Sequence, residues 1–471
     1  MGEKYCIVNV DGLTPDQKEV FESLRDYITD RNDRSIYVVK GWAGTGKTYS
    51  VGIFIRYLLE VMYPTRKWFK IAMTGPTNKS VRVIKKTMGL KEKRITYQTI
   101  HKLLGLKEKI TIEGKQEFVN DGVFVPPINS TKVLVIDEVS MLNDELFNMI
   151  IAYRDKIKII CMGDPAQIPP VGKVDCIPFR EELYDFYDIK TLNLRTIMRQ
   201  KMENPIISSS VLIRKNLSSS EIPMKYETNV NEKGEGIEFL NLNKFEDRKS
   251  FTDKLEKYLK DKEFKKNPEY LKIIAWRNKT VSHMNDVSRR IIYGDLSYES
   301  KILENEKLIA NNPIIQGEQI VFNTNDEFKV KDYKIIRDKF RIDGIECDFK
   351  IYETTVISLD EDDQEFEVDI EILHEESEHQ FKETADSLKK RAIEQKGKNK
   401  SWLKYYEFLR RYSDVGYGYA ITAHKSQGST YNYTFVLEDD IDTNYNTVER
   451  NRIKYTSYTR SSKKLYVLRR F

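Results

Sequence analysis

Eight consecutive residues, Gly41-Trp42-Ala43-Gly44-Thr45-Gly46-Lys47-Thr48, satisfy the pattern G-x-x-x-x-G-K-[ST]. That pattern restricts the fold around it. Such a loop grips an anion only where a strand delivers it and a helix starts at its end, so that backbone N–H groups and the helix terminus converge. The flanking sequence supplies both elements. Ser35–Lys40 reads as a short β-strand, and Tyr49 to Met62 as a helix with apolar periodicity. Gly41, Gly44, Thr45 and Gly46 are expected to curl around the β-phosphate of a nucleoside triphosphate. Lys47 then reaches the β- and γ-phosphates, and the Thr48 hydroxyl ligates Mg2+. A chance glycine-rich turn is the competing reading, and the ordered strand–loop–helix context argues against it.

The surrounding pattern extends the same fold. Ser35–Lys40, Lys70–Thr74, Lys132–Asp137 and Lys156–Met162 are short, β-branched and almost continuously apolar, as expected of parallel strands covered on both faces. Lys107–Val119 interrupts the alternation as a hairpin turning at Glu113-Gly114. A second α/β region is read from about Thr191, with strands at Leu271–Trp276, Thr434–Leu437 and Lys464–Leu468. Between its halves, Gln319–Phe322, Lys350–Val356 and Phe366–Ile372 look like antiparallel strands of an inserted β-barrel. The expected division is 1–185 and 186–300 with 412–471 for two α/β domains, 103–128 for the hairpin insert, and 301–411 for the barrel. An acidic stretch, Asp360 to Glu378, and a basic one, Lys389 to Arg411, read as solvated faces.

Composition narrows the class. A length of 471 residues with 40% hydrophobic content suits about three globular domains. No apolar run is long enough to span a membrane, and Met1–Cys6 does not resemble a signal peptide. The four cysteines are scattered, which argues against structural zinc or a disulfide framework and suits a reducing cytoplasm. A net charge of +5 permits a nucleic-acid partner without requiring one.

Three further segments carry chemistry. Lys132–Glu138 is an apolar strand ending in two carboxylates. Asp137 is expected to hold Mg2+, and Glu138 to act as general base on the attacking water. The next strand ends at Gly163-Asp164-Pro165-Ala166-Gln167, where Gln167 can contact the γ-phosphate. In isolation that segment reads rather as an ordinary Gly-Asp-Pro turn.

Together these segments resemble motifs I, II and III of the superfamily-1 helicases. Leu13–Gln17 is similar to the Q motif, which implies that Gln17 reads the adenine edge. Thr74–Asn78 resembles motif Ia, although Gly75 stands where the family usually has alanine, and Thr99-Ile100-His101 resembles the Ib segment. Leu194–Gln200 looks like motif IV with Arg199 in the arginine-finger position; Ala423–Thr430 resembles motif V, which implies that Gly428 binds the nucleotide; Tyr455–Arg460 resembles motif VI. The form Thr-x-His-Lys-x-Gln-Gly of motif V and the two inserts point to the RecD-like branch.

The resemblance implies two RecA-like domains with ATP and Mg2+ between them, and catalytic roles for Lys47, Asp137, Glu138, Gln167, Arg199 and Arg460. It implies a single-stranded DNA track of Pro76, Thr77, Thr99 and His101 on one domain and His424 and Ser426 on the other. The implied barrel is SH3-like. Implied partners are single-stranded DNA and its junctions with duplex, replication or single-strand-binding proteins, and no membrane. The implied motor acts as a monomer, 5′ to 3′, in the cytoplasm (a host's, if phage-encoded). Two readings of the hairpin stand: Phe118 or Phe124 splits the duplex as a pin, or these aromatics anchor the hairpin. Ser426 likewise reads either as a DNA contact or as a loop cap. The alternatives in function are a translocase that mainly strips proteins from DNA and an RNA-directed helicase.

Overall fold

The continuous apolarity of the N-terminal strands follows from what covers them. The computed structural model describes residues 10, 12–110, 116–120, 122, 125–170, 172–197, 204–316, 319–359, 364–395 and 400–470. Its first strands are β1 (Ile36–Gly41), β2 (Ile71–Gly75), β3 (Ile95–Thr99), β4 (Lys107–Ile110), β5 (Gln116–Val119), β6 (Val133–Ile136), β7 (Lys158–Gly163) and β8 (Ile189–Leu194). Six lie side by side in the order β3-β2-β6-β7-β1-β8, all parallel. Val39, Met73, Val135 and Met162 enter one core, packed with residues of helices α1 (Pro15–Thr29) and α2 (Lys47–Tyr57). Their neighbours Val38, Ala72, Leu134 and Cys161 enter the core on the other face. Alternation within an unbroken apolar run therefore feeds two cores.

The carboxyl ends of these strands gather the motifs. Gly41 ends β1, Gly75 ends β2, Thr99 ends β3, Gly163 ends β7, and Asp137 follows β6. Ligands of open α/β sheets bind at this edge, where helix N-termini face outward. The helix expected over 49–62 is α-helical to Tyr57 and finishes in a π-helical turn, Leu58–Met62. The expected hairpin is present, with β4 and β5 paired antiparallel from Lys107–Val119 to Ile110–Gln116.

The second sheet is split in sequence by the insert. It starts with β9 (Asn229–Val230), β10 (Gly236–Asn241) and β11 (Leu271–Ala275). The insert follows with β12 (Lys307–Ala310), β13 (Ile314–Gln316), β14 (Gln319–Phe322), β15 (Glu327–Ile342), β16 (Ile345–Leu359), β17 (Glu365–Leu373) and β18 (Val415–Tyr417). The sheet then resumes with β19 (Ala420–Thr422), β20 (Tyr431–Leu437) and β21 (Ser461–Arg469). Its order is β19-β11-β20-β21-β10-β9, parallel except for β9.

Two boundaries move. β8 pairs with β1, so the first domain runs past the expected 185 to Leu194. β18 pairs with β12, so the insert runs past 411 to Tyr417. The barrel also takes another form. β17-β16-β15-β12-β18 is an open antiparallel sheet, with β13 and β14 as a separate ribbon, and no pairing among the described residues joins β17 to β18. The reason is length. β15 and β16 run on as a hairpin of 16 and 15 residues. Its far half packs Phe349 and Ile351 against Leu388 and Phe408 of the helices Glu378–Glu394 and Ser401–Leu409.

One carboxylate ties the insert to both α/β domains. Glu327 of β15 accepts from Lys272 of β11 at 2.9 Å and from Lys79 of helix α3 (Asn78–Met88) at 3.3 Å. Burial alone would raise the Glu327 pKa, but the two ammoniums override it and hold the carboxyl at about 2. We expect Glu327→Gln to destabilise the chain by about 3 kcal/mol, because two buried cations lose their counter-charge. In the wild type this contribution is complete above the ordinary carboxyl value of 4.5 and is lost as pH falls toward about 2. Denaturant unfolding of both proteins between pH 7 and pH 3 measures the effect; equal stabilities at neutral pH would refute it.

Candidate nucleotide site and nucleic-acid track

The phosphate loop is shaped by its small residues. Gly44 and Gly46 have φ of 84° and 76°, which favour glycine. At Gly41 a Cβ would come within 2.7 Å of Thr45 Oγ1 and 2.8 Å of Lys47 Cγ. Lys47 Nζ donates to the Gly41 carbonyl at 2.8 Å, lying along the cradle. Gln17 is fully buried; its Nε2 donates to Thr45 O at 2.9 Å and its Oε1 accepts from Thr14 N at 3.1 Å. In this conformation its amide therefore braces the phosphate loop from behind.

The hard-cation donors come together across the sheet edge. Thr48 Oγ1 donates to Asp137 Oδ2 at 3.3 Å, so a hydroxyl and a carboxylate share one point beside the loop. This oxygen pair fits Mg2+, which takes few protein ligands and keeps its waters. Burial, and then the neighbouring Glu138 charge, raise the Asp137 pKa to about 6. Glu138 has φ of 52°, a left-handed conformation rare for glutamate and of the kind that collects at functional sites. Gln167 is buried and accepts from Ser140 Oγ at 3.3 Å.

The second domain reaches this edge largely through side chains, Arg214 and Tyr455 first, to which the sequence assigned no role. Asp164 is fully buried and accepts from Arg214 Nη2 at 2.9 Å and Arg214 Nε at 3.2 Å. Arg214 lies on the helix Pro205–Lys215, with its guanidinium 4.7 Å from the centre of the Trp42 ring in the phosphate loop. Tyr455, on the helix Thr447–Tyr458, donates its hydroxyl to Asp164 and accepts from the Ala43 N–H at 3.1 Å. Beside it, Gln427 Nε2 donates to Ile168 O at 2.7 Å, and Thr456 Oγ1 accepts from Ile168 N at 3.3 Å. Gly428 packs where a Cβ would stand 3.2 Å from Ser80 of α3. Tyr455 opens a recognisable motif and could have been marked from the sequence. Arg214 lies in none.

Other expected residues divide. Arg460 is buried and donates to Thr456 O at 3.0 Å, Ser429 O at 3.2 Å and Thr459 Oγ1 at 3.0 Å, all within the second domain. Arg199 and Phe124 lie outside the described residues. Thr77 caps α3, accepting from Ser80 N, and Thr99 accepts from Lys102 N at the head of the next short helix. Pro76, His101 and His424 are half-buried, and burial lowers the pKa of both histidines. Ser426 is fully buried and donates to Ala423 O at 2.7 Å, which places it as a loop cap here. Phe118 is 38% exposed and meets His101 edge-on at 5.0 Å, so the hairpin stands beside the expected track.

A phosphate loop, a paired carboxylate strand and cross-domain contacts between two RecA-like sheets define a two-domain motor ATPase. The family model described as an AAA domain matches residues 25–173, and that described as a UvrD-like helicase C-terminal domain matches 417–468. The chain is 23% identical over 457 residues to the ATP-dependent DNA helicase dda of Enterobacteria phage T4, covering 90% of this chain and 92% of that one. It is 26% identical over 508 residues to an uncharacterized protein of Acanthamoeba polyphaga mimivirus, covering 95% and 98%. A solved structure of Pif1 helicase from Bacteroides with ADP-AlF3 and ssDNA aligns at 17% identity and TM-score 0.45, over 95% of this chain and 91% of that one. The chain is thus similar, over nearly its whole length, to an ATP-dependent DNA helicase, and its two ends match ATPase and helicase family models.

Two outcomes follow for the nucleotide site. Lys47→Ala should lower ATP turnover at least about 100-fold, through loss of a charge on the transferring phosphoryl group, with unchanged circular dichroism. Near-normal turnover in the folded variant would remove Lys47 from the chemistry. Tyr455→Phe keeps the ring and removes both cross-domain bonds. It should raise the KM for ATP by about tenfold or more, since two hydrogen bonds are lost, while ATP-independent DNA affinity is unchanged; an unaltered KM would exclude the coupling.

Proposed function

We propose that this chain is an ATP-dependent DNA helicase that moves 5′ to 3′ along single-stranded DNA and unwinds duplex ahead of it. The observation that carries the reading is the direct bonding of second-domain residues Tyr455, Thr456 and Gln427 to Ala43 and Ile168 of the first. Nucleotide held by the loop is thereby linked to the position of the whole second domain. A bound Mg2+, held by Thr48 and Asp137, would neutralise charge on the β- and γ-phosphates.

The chain's own residues do the rest. Lys47 leaves the Gly41 carbonyl for the phosphates. Glu138 takes a proton from water as its oxygen bonds to the γ-phosphorus and the bond to the β-phosphate oxygen breaks. Gln167 registers the departing phosphate. Arg199 supplies charge from the second half, and Arg460 joins it by exchanging the Thr456 and Ser429 carbonyls for phosphate oxygens. Closing and reopening of the cleft then alternates the grip of Pro76, Thr77, Thr99 and His101 with that of His424 and its loop. Phe118 stands where an exposed ring could stack on the first base pair, beside the strand leaving His101.

Duplexes carrying a 5′ single-stranded tail, a 3′ tail or an RNA tail test this reading, with ATP turnover followed in parallel. Single-stranded DNA should stimulate turnover severalfold, and only the 5′-tailed DNA duplex should be unwound. Unwinding of the 3′-tailed substrate alone would reverse the polarity. Stimulated turnover without unwinding of any duplex would favour a protein-displacing translocase.

A further inference from the structure

A cavity of about 160 Å³ lies where α3 of the first domain, the segment before β11 of the second, and the insert meet. Among the described residues its walls carry seven cations against three carboxylates. Lys79, Arg82 and Lys86 come from α3; Lys265 and Lys266 come from the short helix Lys262–Lys266; Lys307 and Lys329 come from β12 and β15. Of the carboxylates, Glu327 is already committed to Lys79 and Lys272. Arg82 donates to the Leu359 carbonyl at 3.1 Å, and its charge acts on the buried Asp326. Val83, Phe328 and Ile357 line the same space with apolar surface, which excludes water and strengthens the field of the cations.

Lys307 shows the imbalance most plainly. Its ammonium donates to Phe264 O at 2.6 Å and lies 3.7 Å from the centre of that residue's ring. Burial first, and the charges of Lys272, Lys329 and Lys79 as well, push its pKa down to about 7 against the pull of Glu327. Such a group gains most from an arriving anion. Three of the cavity's cations stand on α3, whose first turn is capped by Thr77 of the expected DNA track.

We propose that this cavity is a phosphate-binding site that takes the backbone of a nucleic-acid strand outside the ATP cleft. The inference rests on the helicase reading and adds to it a grip shared by all three parts of the chain. Lysine-rich, partly apolar walls suit a phosphodiester, whose contacts fix the position of a strand without reading its sequence. Free phosphate carries the same chemistry, and the experiment separates the two sources.

Lys265→Gln/Lys266→Gln in the full chain removes two exposed cations from the rim and no residue of the nucleotide site. Lys244→Gln/Lys249→Gln, two exposed lysines that do not line the cavity, is the charge-matched control. Binding of a 20-nucleotide single strand, a blunt duplex and inorganic triphosphate is measured from 0.05 to 0.3 M salt. The rim variant should bind the single strand roughly 20-fold more weakly at 0.1 M salt, with a log–log salt slope lower by about 1.4. The control should match the wild type. Equal slopes for rim variant and control on both DNA forms would overturn the proposal. So would a loss confined to inorganic triphosphate, which would mark a free-phosphate site. If the wild type binds no DNA at all, the helicase reading fails instead, and the two failures are distinct.

Discussion

The buried carboxylate of Asp164 is the interaction on which the arrangement of the two halves depends. It belongs to the first domain, yet its guanidinium and phenol donors, Arg214 and Tyr455, belong to the second. A carboxylate removed from water without donors costs several kcal/mol. Beyond the Ala166 N–H, the donors to Asp164 among the described residues are these two side chains, so separating the domains requires water to replace both. Because Tyr455 also holds the Ala43 N–H and Arg214 covers Trp42, the same two residues touch the loop that grips phosphate. A change at the phosphates has a short physical path to the second domain.

A second carboxylate, Glu327, does similar work for the insert. Its lysines come from α3 and β11, one from each α/β domain, so the long β15–β16 hairpin is not a loosely hung appendage. Next to this ion cluster, among the described residues, cations outnumber acids around a cavity. Structural pairing and ligand capacity are here neighbouring parts of one charge distribution. The difference between them is whether a carboxylate stands within hydrogen-bond reach.

Much of the first domain was legible because its signals are local. Strands β1, β2, β6 and β7 lie within a residue or two of the apolar runs that mark them, and β4 and β5 pair as the expected hairpin, whose turn at Glu113-Gly114 lies outside the described residues. β8 was harder to place. Lys190, Thr191 and Asn193 break its apolar run, and it forms because β1 offers a free edge, so the domain boundary fell too early. The barrel was over-read for a related reason. The short runs at β14, β16 and β17 mark antiparallel strands, but closure depends on how far each strand runs past its neighbours. Ser426 and Arg460 show the same limit at the site: a motif gives a residue's address, while the hydrogen bonds it makes depend on which carbonyls lie within reach.

By itself the sequence determined the phosphate loop, the Asp137-Glu138 pair and the α/β class, since each follows from contiguous residues with a defined backbone requirement. Glycines at positive φ and apolar strands ending in acids have few other structural uses. Only the tertiary structure decided that Gln17 braces the loop, that Arg214 and Tyr455 share Asp164, that the insert is an open sheet, and that seven cations from four elements converge on one cavity. Those facts join residues tens to hundreds of positions apart. Burial and charge balance, which select such contacts, exist only once the chain has folded.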